Sequence, residues 1–137
     1  MQIELSTQLR GIARLLREVV GPEVADPYVA DVLQGAAATL DALSAGVPQL
    51  VPFLRWDGEA SSALLRSVDV EPAPPPPEPA DPAAVEAWHR DVRAQLEEAI
   101  PRLRAHDEAS AATAAHFRER ASRYPFVVRP APPRAQG

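Results

Sequence analysis

The 137-residue sequence contains no cysteine, which excludes disulfide bonds, thiolate metal sites and cysteine nucleophiles. It also contains no lysine, so all 14 basic residues are arginine. Only 5% of the residues are aromatic, which disfavours a β-sandwich because its strands need aromatic and β-branched side chains at alternating positions. The alanine- and leucine-rich remainder is typical of closely packed helices.

Long hydrophobic runs are absent as well. No stretch approaches the roughly 18 consecutive apolar residues of a membrane span. The N-terminus lacks the basic and apolar regions of a signal peptide, so we predict a cytoplasmic protein without a membrane span. The net charge of −5 disfavours a nucleic-acid partner, and nothing in the sequence indicates a cofactor.

Proline is abundant, and it is concentrated in residues 69–81, which we call the proline-rich strap. Proline lacks the backbone N–H and fixes φ, so the strap cannot join a helix or a sheet. We predict an extended, solvated polyproline-type connector between two helical halves.

In the first half of the chain, apolar residues recur every three or four positions, as on one side of a helix. We predict a helix over 6–20, with Ser6 as its N-cap, and a second helix that starts at Asp26-Pro27. The second is expected to break or kink sharply near 46–48; the alternative is one long helix bent at Pro48 and Pro52. The two apolar stripes are Leu5, Leu9, Ile12, Leu16 and Val19, then Val29, Leu33, Ala36, Leu40, Leu43, Val47, Leu50 and Leu54.

A third element is predicted over 49–68, with a weak point at Asp57-Gly58. Asp81-Pro82 repeats the start signal, Pro101 is expected to kink the helix that follows, and the last helical element should reach Ser122. The stripe of the helix after the strap is Val85, Trp88, Val92, Leu96, Ala99 and Leu103.

These elements predict an all-α fold, an antiparallel four-helix bundle, with five helices as the alternative if the prolines break them. We expect a single domain over 1–125, with halves 1–68 and 82–125 joined by the strap. Residues 126–137 are predicted to be a flexible tail.

One pair of residues has the spacing of a metal-binding motif. Glu86 and His89 form a Glu-x-x-His pair, and di-iron bundles use two such pairs. The chain offers no second pair, so we predict no metal site, a salt-bridging Glu86 and a boundary His89. His106 and His116 are interpreted as boundary residues, because no nucleophile stands in a catalytic context. No catalytic residue is assigned, and the chain is more plausibly not an enzyme.

Two groups of residues are candidates for binding a partner. Arg55 and Trp56 are residue types enriched in interface hot spots, although Trp56 could equally close one end of the core. The C-terminal arginines, against Glu119 alone, could dock on an acidic surface or simply end a solvated helix. Those in the last predicted helix are Arg118, Arg120 and Arg123.

A resemblance to other proteins rests on Asp-Pro-Tyr at 26–28 with the spacing to Leu40, on Val-Pro-Phe-Leu at 51–54 and on Leu-Leu at 64–65. In these segments the sequence resembles small uncharacterised helical proteins of actinobacteria and related bacteria. Those proteins are often encoded near acyl-CoA dehydrogenases and aminoglycoside-phosphotransferase-like kinases. The resemblance covers 1–125 and implies an all-helical accessory protein beside a larger enzyme, with no catalytic residues to carry over.

Two functions therefore remain open from the sequence. The favoured one is a non-catalytic helical-bundle interaction protein, which self-associates or docks to a larger enzyme. The alternative is a bundle that binds a small acyl-like molecule or a metal, with a minor enzymatic role, built around Glu86, His89 and His106.

Overall fold

The computed structural model describes residues 3–126 and shows an all-α chain, as predicted. The described residues contain no strand, and none of their helices is both long and apolar enough to cross a membrane. The predicted tail lies outside the described residues except for Phe126. The helices are α1 (Ile3–Leu15), continued by a π-helical turn (Leu16–Val20) and a 3-10 turn (Gly21–Glu23), then α2 (Pro27–Arg66), α3 (Pro82–Arg104) and α4 (Asp107–Arg123).

The two Asp-Pro pairs start helices, as predicted. The Asp26 carboxylate accepts a hydrogen bond from the Tyr28 backbone N–H at 2.8 Å, at the start of α2. The Asp81 carboxylate accepts one from the Ala83 N–H at 3.1 Å, at the start of α3. Each carboxylate therefore satisfies a helix N–H that has no partner within the helix.

Helix α2 runs without interruption through 46–48, so the predicted break is wrong. Pro48 has no N–H and leaves the Ser44 carbonyl without its helical donor. The Ser6 hydroxyl donates to that carbonyl at 2.5 Å, and the Ser44 hydroxyl donates to the Ser6 carbonyl at 2.8 Å. Ser6 is consequently not the N-cap of α1. It lies within α1 and supplies the hydrogen bond that Pro48 removes.

Contacts group the chain into two compact units. The described part of the first, the hairpin unit, comprises 3–49 and 125–126; the second, the core unit, comprises 50–124. Helix α2 contributes its first part to the hairpin unit and the rest to the core unit. The sequence had suggested the proline-rich strap as the division between halves.

In the hairpin unit, α1 and the first part of α2 run antiparallel. Ser6, near the start of α1, lies beside Ser44, whereas Gly21 lies beside Leu33. Small residues let the two helices approach closely, and Ala13 is fully buried. Phe126, assigned from the sequence to the tail, is half-buried beside Gly46, where a side-chain Cβ would overlap its ring.

The core unit contains the main hydrophobic cluster of the described residues. Every predicted stripe residue of α3 is buried, which confirms that part of the interpretation. The α2 residues that pack in this cluster are Phe53, Leu54, Leu64 and Leu65, and Val68 joins them from the turn that follows α2.

The predicted weak point at Asp57-Gly58 is wrong, since both residues are buried in the middle of α2. A Cβ at Gly58 would overlap the Trp88 ring. Glycine is therefore used here to admit a large aromatic ring against the helix backbone and not to form a turn.

The direction of α3 corrects the antiparallel expectation for one pair of helices. Asp57 contacts His89, and farther along both helices Leu64 and Arg102 line one groove, so α3 runs parallel to α2 in the core unit. The strap is long enough to return the chain to the start of this part of α2, which a short turn could not do. Helix α4 runs antiparallel to α2, since Arg120 also reaches Asp57 while Ala109 lines the groove with Leu64.

The proline-rich strap is extended, as predicted, and many of its residues are exposed, but part of it packs against the core unit and is not solvated. Pro72 is buried, and Val70, Ala73 and Ala80 pack against the hydrophobic cluster. The Gln95 side chain on α3 accepts a hydrogen bond from the Ala73 N–H at 2.8 Å and donates one to the Glu71 carbonyl at 3.0 Å. A strap rich in proline offers few N–H groups, so its carbonyls and small side chains make most of these contacts.

Proline at 101 does not end α3, which continues to Arg104. The chain leaves helical geometry at Ala105-His106, and α4 begins at Asp107. The predicted end near Ser122 is within one residue of the observed end at Arg123.

Candidate functional site

A fully buried carboxylate lies at the centre of the core unit. Asp57 on α2 has 0% exposure, and His89 on α3 donates from Nε2 to its Oδ2 at 2.6 Å. Because a carboxylate only accepts, the His89 Nε2 must carry the proton. Arg120 on α4 donates from Nε to the same oxygen at 3.1 Å. One carboxylate therefore joins α2, α3 and α4.

The second carboxylate oxygen of Asp57, Oδ1, is less well hydrogen-bonded than Oδ2. His116 Nε2 on α4 lies 3.0 Å from Asp57 Oδ1, yet this oxygen has no aligned hydrogen-bond donor among the described residues. The two atoms are therefore close without a directed hydrogen bond between them. His116 is itself buried, so α4 turns a polar side into the core unit.

The surroundings favour the ionised form of Asp57. Burial alone would raise the pKa of this carboxyl, since it penalises the charged form. Hydrogen bonds from His89 and Arg120, with the charge of Arg120, outweigh burial and lower the pKa to about 2. We call Asp57, His89, His116 and Arg120 the buried polar cluster.

Ser61 lies beside the buried polar cluster. Ser61, His116 and Asp57 are the residue types of a hydrolytic triad, but their contacts do not have the geometry of one. Ser61 Oγ is 3.5 Å from His116 Nε2, the same nitrogen that approaches Asp57. A nucleophile–base relay needs serine and aspartate on opposite nitrogens of the imidazole. Ser61 is also fully buried, so a substrate has no access to its hydroxyl.

The predicted metal candidates come close to this cluster without forming a metal site. Within residues 3–126, no group of three or more histidine, aspartate or glutamate side chains is arranged to hold a metal ion. His89 uses Nε2 for Asp57, and Glu86 lines an open groove of about 370 Å³ beside it. His106 is exposed at the start of α4, on a different groove.

The predicted interaction residues are partly occupied by contacts within the chain. Arg55 pairs with Glu78 of the strap at 3.0 Å, and Trp56 packs against the hydrophobic cluster. The guanidinium of Arg123 lies 4.5 Å from the centre of the Trp56 ring, a cation–π contact. Arg120 belongs to the buried polar cluster, whereas Arg118 is exposed on α4.

Among the described residues, the large aliphatic side chains that are exposed all belong to the hairpin unit. Ile12 is 47% exposed and Val19 59% exposed, on the helix stripe that the sequence predicted to be buried. Helix α2 repeats this arrangement with Val29 and Leu43. We call the set the apolar face, and its members are Leu5, Ile12, Leu15, Val19, Val29, Val32, Ala36 and Leu43.

The apolar face lies on one side of the hairpin because both helices repeat every seven residues. Residues 5, 12 and 19 occupy one heptad position, and 29, 36 and 43 the equivalent one. The next position along is buried in the hairpin contact at Ala13, Ala37 and Ser44, whereas Val20, in the π-helical turn, is 42% exposed. Since antiparallel helices reverse their sense of rotation, the two exposed stripes fall on the same side.

Sequence reasoning missed the buried polar cluster. Asp57 lies four residues after Phe53 and four before Ser61, and both of those residues are buried, so the helical spacing did contain the signal. The Asp-Gly pair resembles a turn, and that interpretation displaced the helical one. The inward position of His116 was missed because its neighbour Phe117 appeared to continue the apolar stripe.

Comparison with known proteins adds no assignment: no protein-family model, no curated protein and no solved structure matches the chain. The resemblance to actinobacterial helical proteins therefore stays a prediction.

Proposed function

We propose that this chain is a non-catalytic interaction protein that binds another polypeptide through the apolar face of the hairpin unit. The observation that carries the proposal is the exposure of aliphatic side chains on the same side of both helices. Large contiguous apolar patches are uncommon on monomers, and the largest one on a protein is often a binding surface. The face consists of side chains whose full burial stabilises a contact by about 1.5–3 kcal/mol each.

The geometry of the core unit supports a role without catalysis. Asp57 and His116 are buried, and His89 and Arg120, which are partly exposed, tie α3 and α4 to α2 through the Asp57 carboxylate. The hairpin unit, by contrast, presents its apolar residues outward. We therefore assign support to the core unit and binding to the hairpin unit. The acidic net charge and the absence of cysteine fit a protein partner in the cytoplasm, where the resemblance implies a larger enzyme.

A site-specific photocrosslinker tests the proposal in the host cell. Placed at Ile12 of the full chain, it should form adducts with a second polypeptide. Thr7 provides the matched control, because it is exposed on the same helix but outside the apolar face. Absence of adducts from position 12, or equal adducts from both positions, would contradict the proposal.

A second candidate function is binding of an acyl carboxylate in the groove next to His89. Arg93 supports it, because its Nη1 is buried without a hydrogen-bond partner among the described residues, although its guanidinium lies over Phe117 at 5.6 Å. A guanidinium with free donors favours a carboxylate. The groove is lined by two aliphatic side chains, three basic ones and one acidic one: Leu50, Leu54, His89, Arg90, Arg93 and Glu86.

Thermal unfolding in the presence of fatty acids of increasing length tests this second function. A ligand at about 100 times its dissociation constant stabilises the folded state by about 2.7 kcal/mol, which raises the melting temperature. Replacement of Arg93 by leucine should remove the rise. Fatty acids that leave the melting temperature of the wild type unchanged would contradict this function.

A further inference from the structure

We infer that the partner of the apolar face is a second copy of this chain, so that two hairpin units complete one four-helix bundle. This inference rests on the proposed function and names its partner. The pattern on both helices is the a/d repeat of a coiled-coil bundle, sustained over about two heptads from Leu5 to Val19 and nearly three from Val29 to Val47. One set of positions, Leu9, Leu16, Leu33 and Leu40, is half-buried within the hairpin. The other set is the exposed apolar face, as expected for half of a bundle.

The apolar face is complementary to itself under a two-fold axis along the bundle. Because Ser6 is level with Ser44, Ile12 lies within about 3 Å of the height of Ala36 along the hairpin. Leu5 is likewise close to the height of Leu43. A two-fold copy keeps these heights, so the bulky Ile12 of α1 meets the small Ala36 of the second α2. Each contact then occurs twice, as in an isologous dimer.

The size of the face suits a dimer. The helical segment 3–20 is about 27 Å long, and two neighbouring helices are about 20 Å wide, which gives a flat footprint of about 500 Å². A standard interface buries about 800 Å² of accessible surface on each partner, and accessible surface exceeds its flat projection. The footprint is therefore in the range of a specific, stable contact.

Charge does not oppose the contact between identical faces. No residue of the apolar face is charged. Nearby charges are paired within the chain: Arg14 with Glu18 at 2.9 Å, and Arg17 with Asp41. A surface that binds a different protein can carry charges, since the partner can offer charges of the opposite sign. A surface that binds its own copy meets identical charges, so a neutral aliphatic face suits a second copy of the chain.

Sedimentation equilibrium of the purified full chain tests the inference. We expect a mass near twice 14.8 kDa in the micromolar range. Replacement Ile12→Glu should weaken the dimer by roughly thirtyfold or more, as expected for a central interface residue. Replacement Thr7→Glu adds the same charge outside the face and should leave the dimer intact. Circular dichroism checks that both variants keep their helices.

Cysteine crosslinking tests the arrangement, since the chain has no cysteine of its own. A mixture of Ile12→Cys and Ala36→Cys chains should form a disulfide-linked dimer under oxidation, and neither variant should do so alone. Dimers that crosslink through position 12 alone, or not at all in the mixture, would overturn the proposed two-fold arrangement.

The outcomes separate this inference from the proposed function. A wild-type chain that stays monomeric, or dimers equally unaffected by Ile12→Glu and Thr7→Glu, would overturn the inference. If the photocrosslinker at position 12 then captures a different polypeptide, the proposed function stands and only the second copy is wrong. If it captures nothing, both are wrong.

Discussion

The hairpin unit and the core unit are built from the same sequence pattern but bury it to different extents. In the core unit, α3 buries all six residues of its apolar stripe between α2, α4 and the strap. In the hairpin unit, residues such as Ile12 and Val29 are about half exposed. A helix stripe predicts that something will cover it, and the number of surrounding elements decides whether the chain itself does so.

Polar groups distinguish the two units as well. The core unit surrounds the ionised Asp57 with three basic side chains from two other helices. In the hairpin unit the described contacts between α1 and α2 include the neutral pair of Ser6 and Ser44, and an exposed ion pair. The comparison therefore predicts that charge removal damages the core unit far more than the hairpin unit.

The largest expected effect is that of Asp57→Ala. Loss of this carboxylate leaves Arg120 and His89 without their acceptor, and breaking a buried pair costs about 3–5 kcal/mol of unfolding free energy. Urea unfolding followed by tryptophan fluorescence measures it, because both tryptophans, Trp56 and Trp88, lie in the core unit. The midpoint should move to much lower urea.

Asp41→Ala is the matched control in the hairpin unit. Its pair with Arg17 is partly exposed, and such pairs contribute about 1 kcal/mol or less. Similar losses for Asp57→Ala and Asp41→Ala would show that the contrast between the units is mistaken.

Acid should destabilise the core unit through the same carboxylate. The pKa of Asp57 is about 2 in the folded state and 3.8 ordinarily, so its ionised form favours folding. This contribution, about 2 kcal/mol, is fully present above pH 3.8 and is lost as the pH falls through 2. Urea midpoints measured between pH 6 and pH 2 should fall less steeply for Asp57→Asn than for the wild type. Parallel curves would contradict the role of Asp57.

How far the sequence predicts this molecule differs between the two units. The starts at Asp26 and Asp81 and the stripe of α3 followed from local rules, because capping and helical spacing act within a few residues. The passage of α2 through Pro48 did not, since the compensating hydroxyl of Ser6 lies 38 residues away. The buried polar cluster was missed for the same reason, because its members meet only in the folded chain.

Replacement of one glycine by alanine in each unit compares how tightly the two units are packed around α2. Gly58→Ala would force a Cβ into the Trp88 ring, and overpacking of this kind costs about 1–3 kcal/mol, partly offset by the better helix propensity of alanine. Gly35→Ala places its Cβ in open space on the same helix and should be neutral or stabilising. Thermal unfolding by circular dichroism measures both. A stabilised Gly58→Ala variant would show that Trp88 can move aside at little cost.

The smallest expected effect concerns the serine pair that carries α2 past Pro48. Ser6→Ala leaves the Ser44 carbonyl without a donor, which should cost about 1 kcal/mol of unfolding free energy. Circular dichroism measures this cost, because both tryptophans lie in the core unit and do not report on the hairpin unit. Pro48→Ala provides the decisive background, since it restores the helical N–H that Ser44 lacks. In that background Ser6→Ala should cost less, and the difference measures the coupling between the two positions. An equal cost in both backgrounds would mean that the Ser6 hydroxyl stabilises the hairpin by packing alone, and that α2 tolerates Pro48 for another reason.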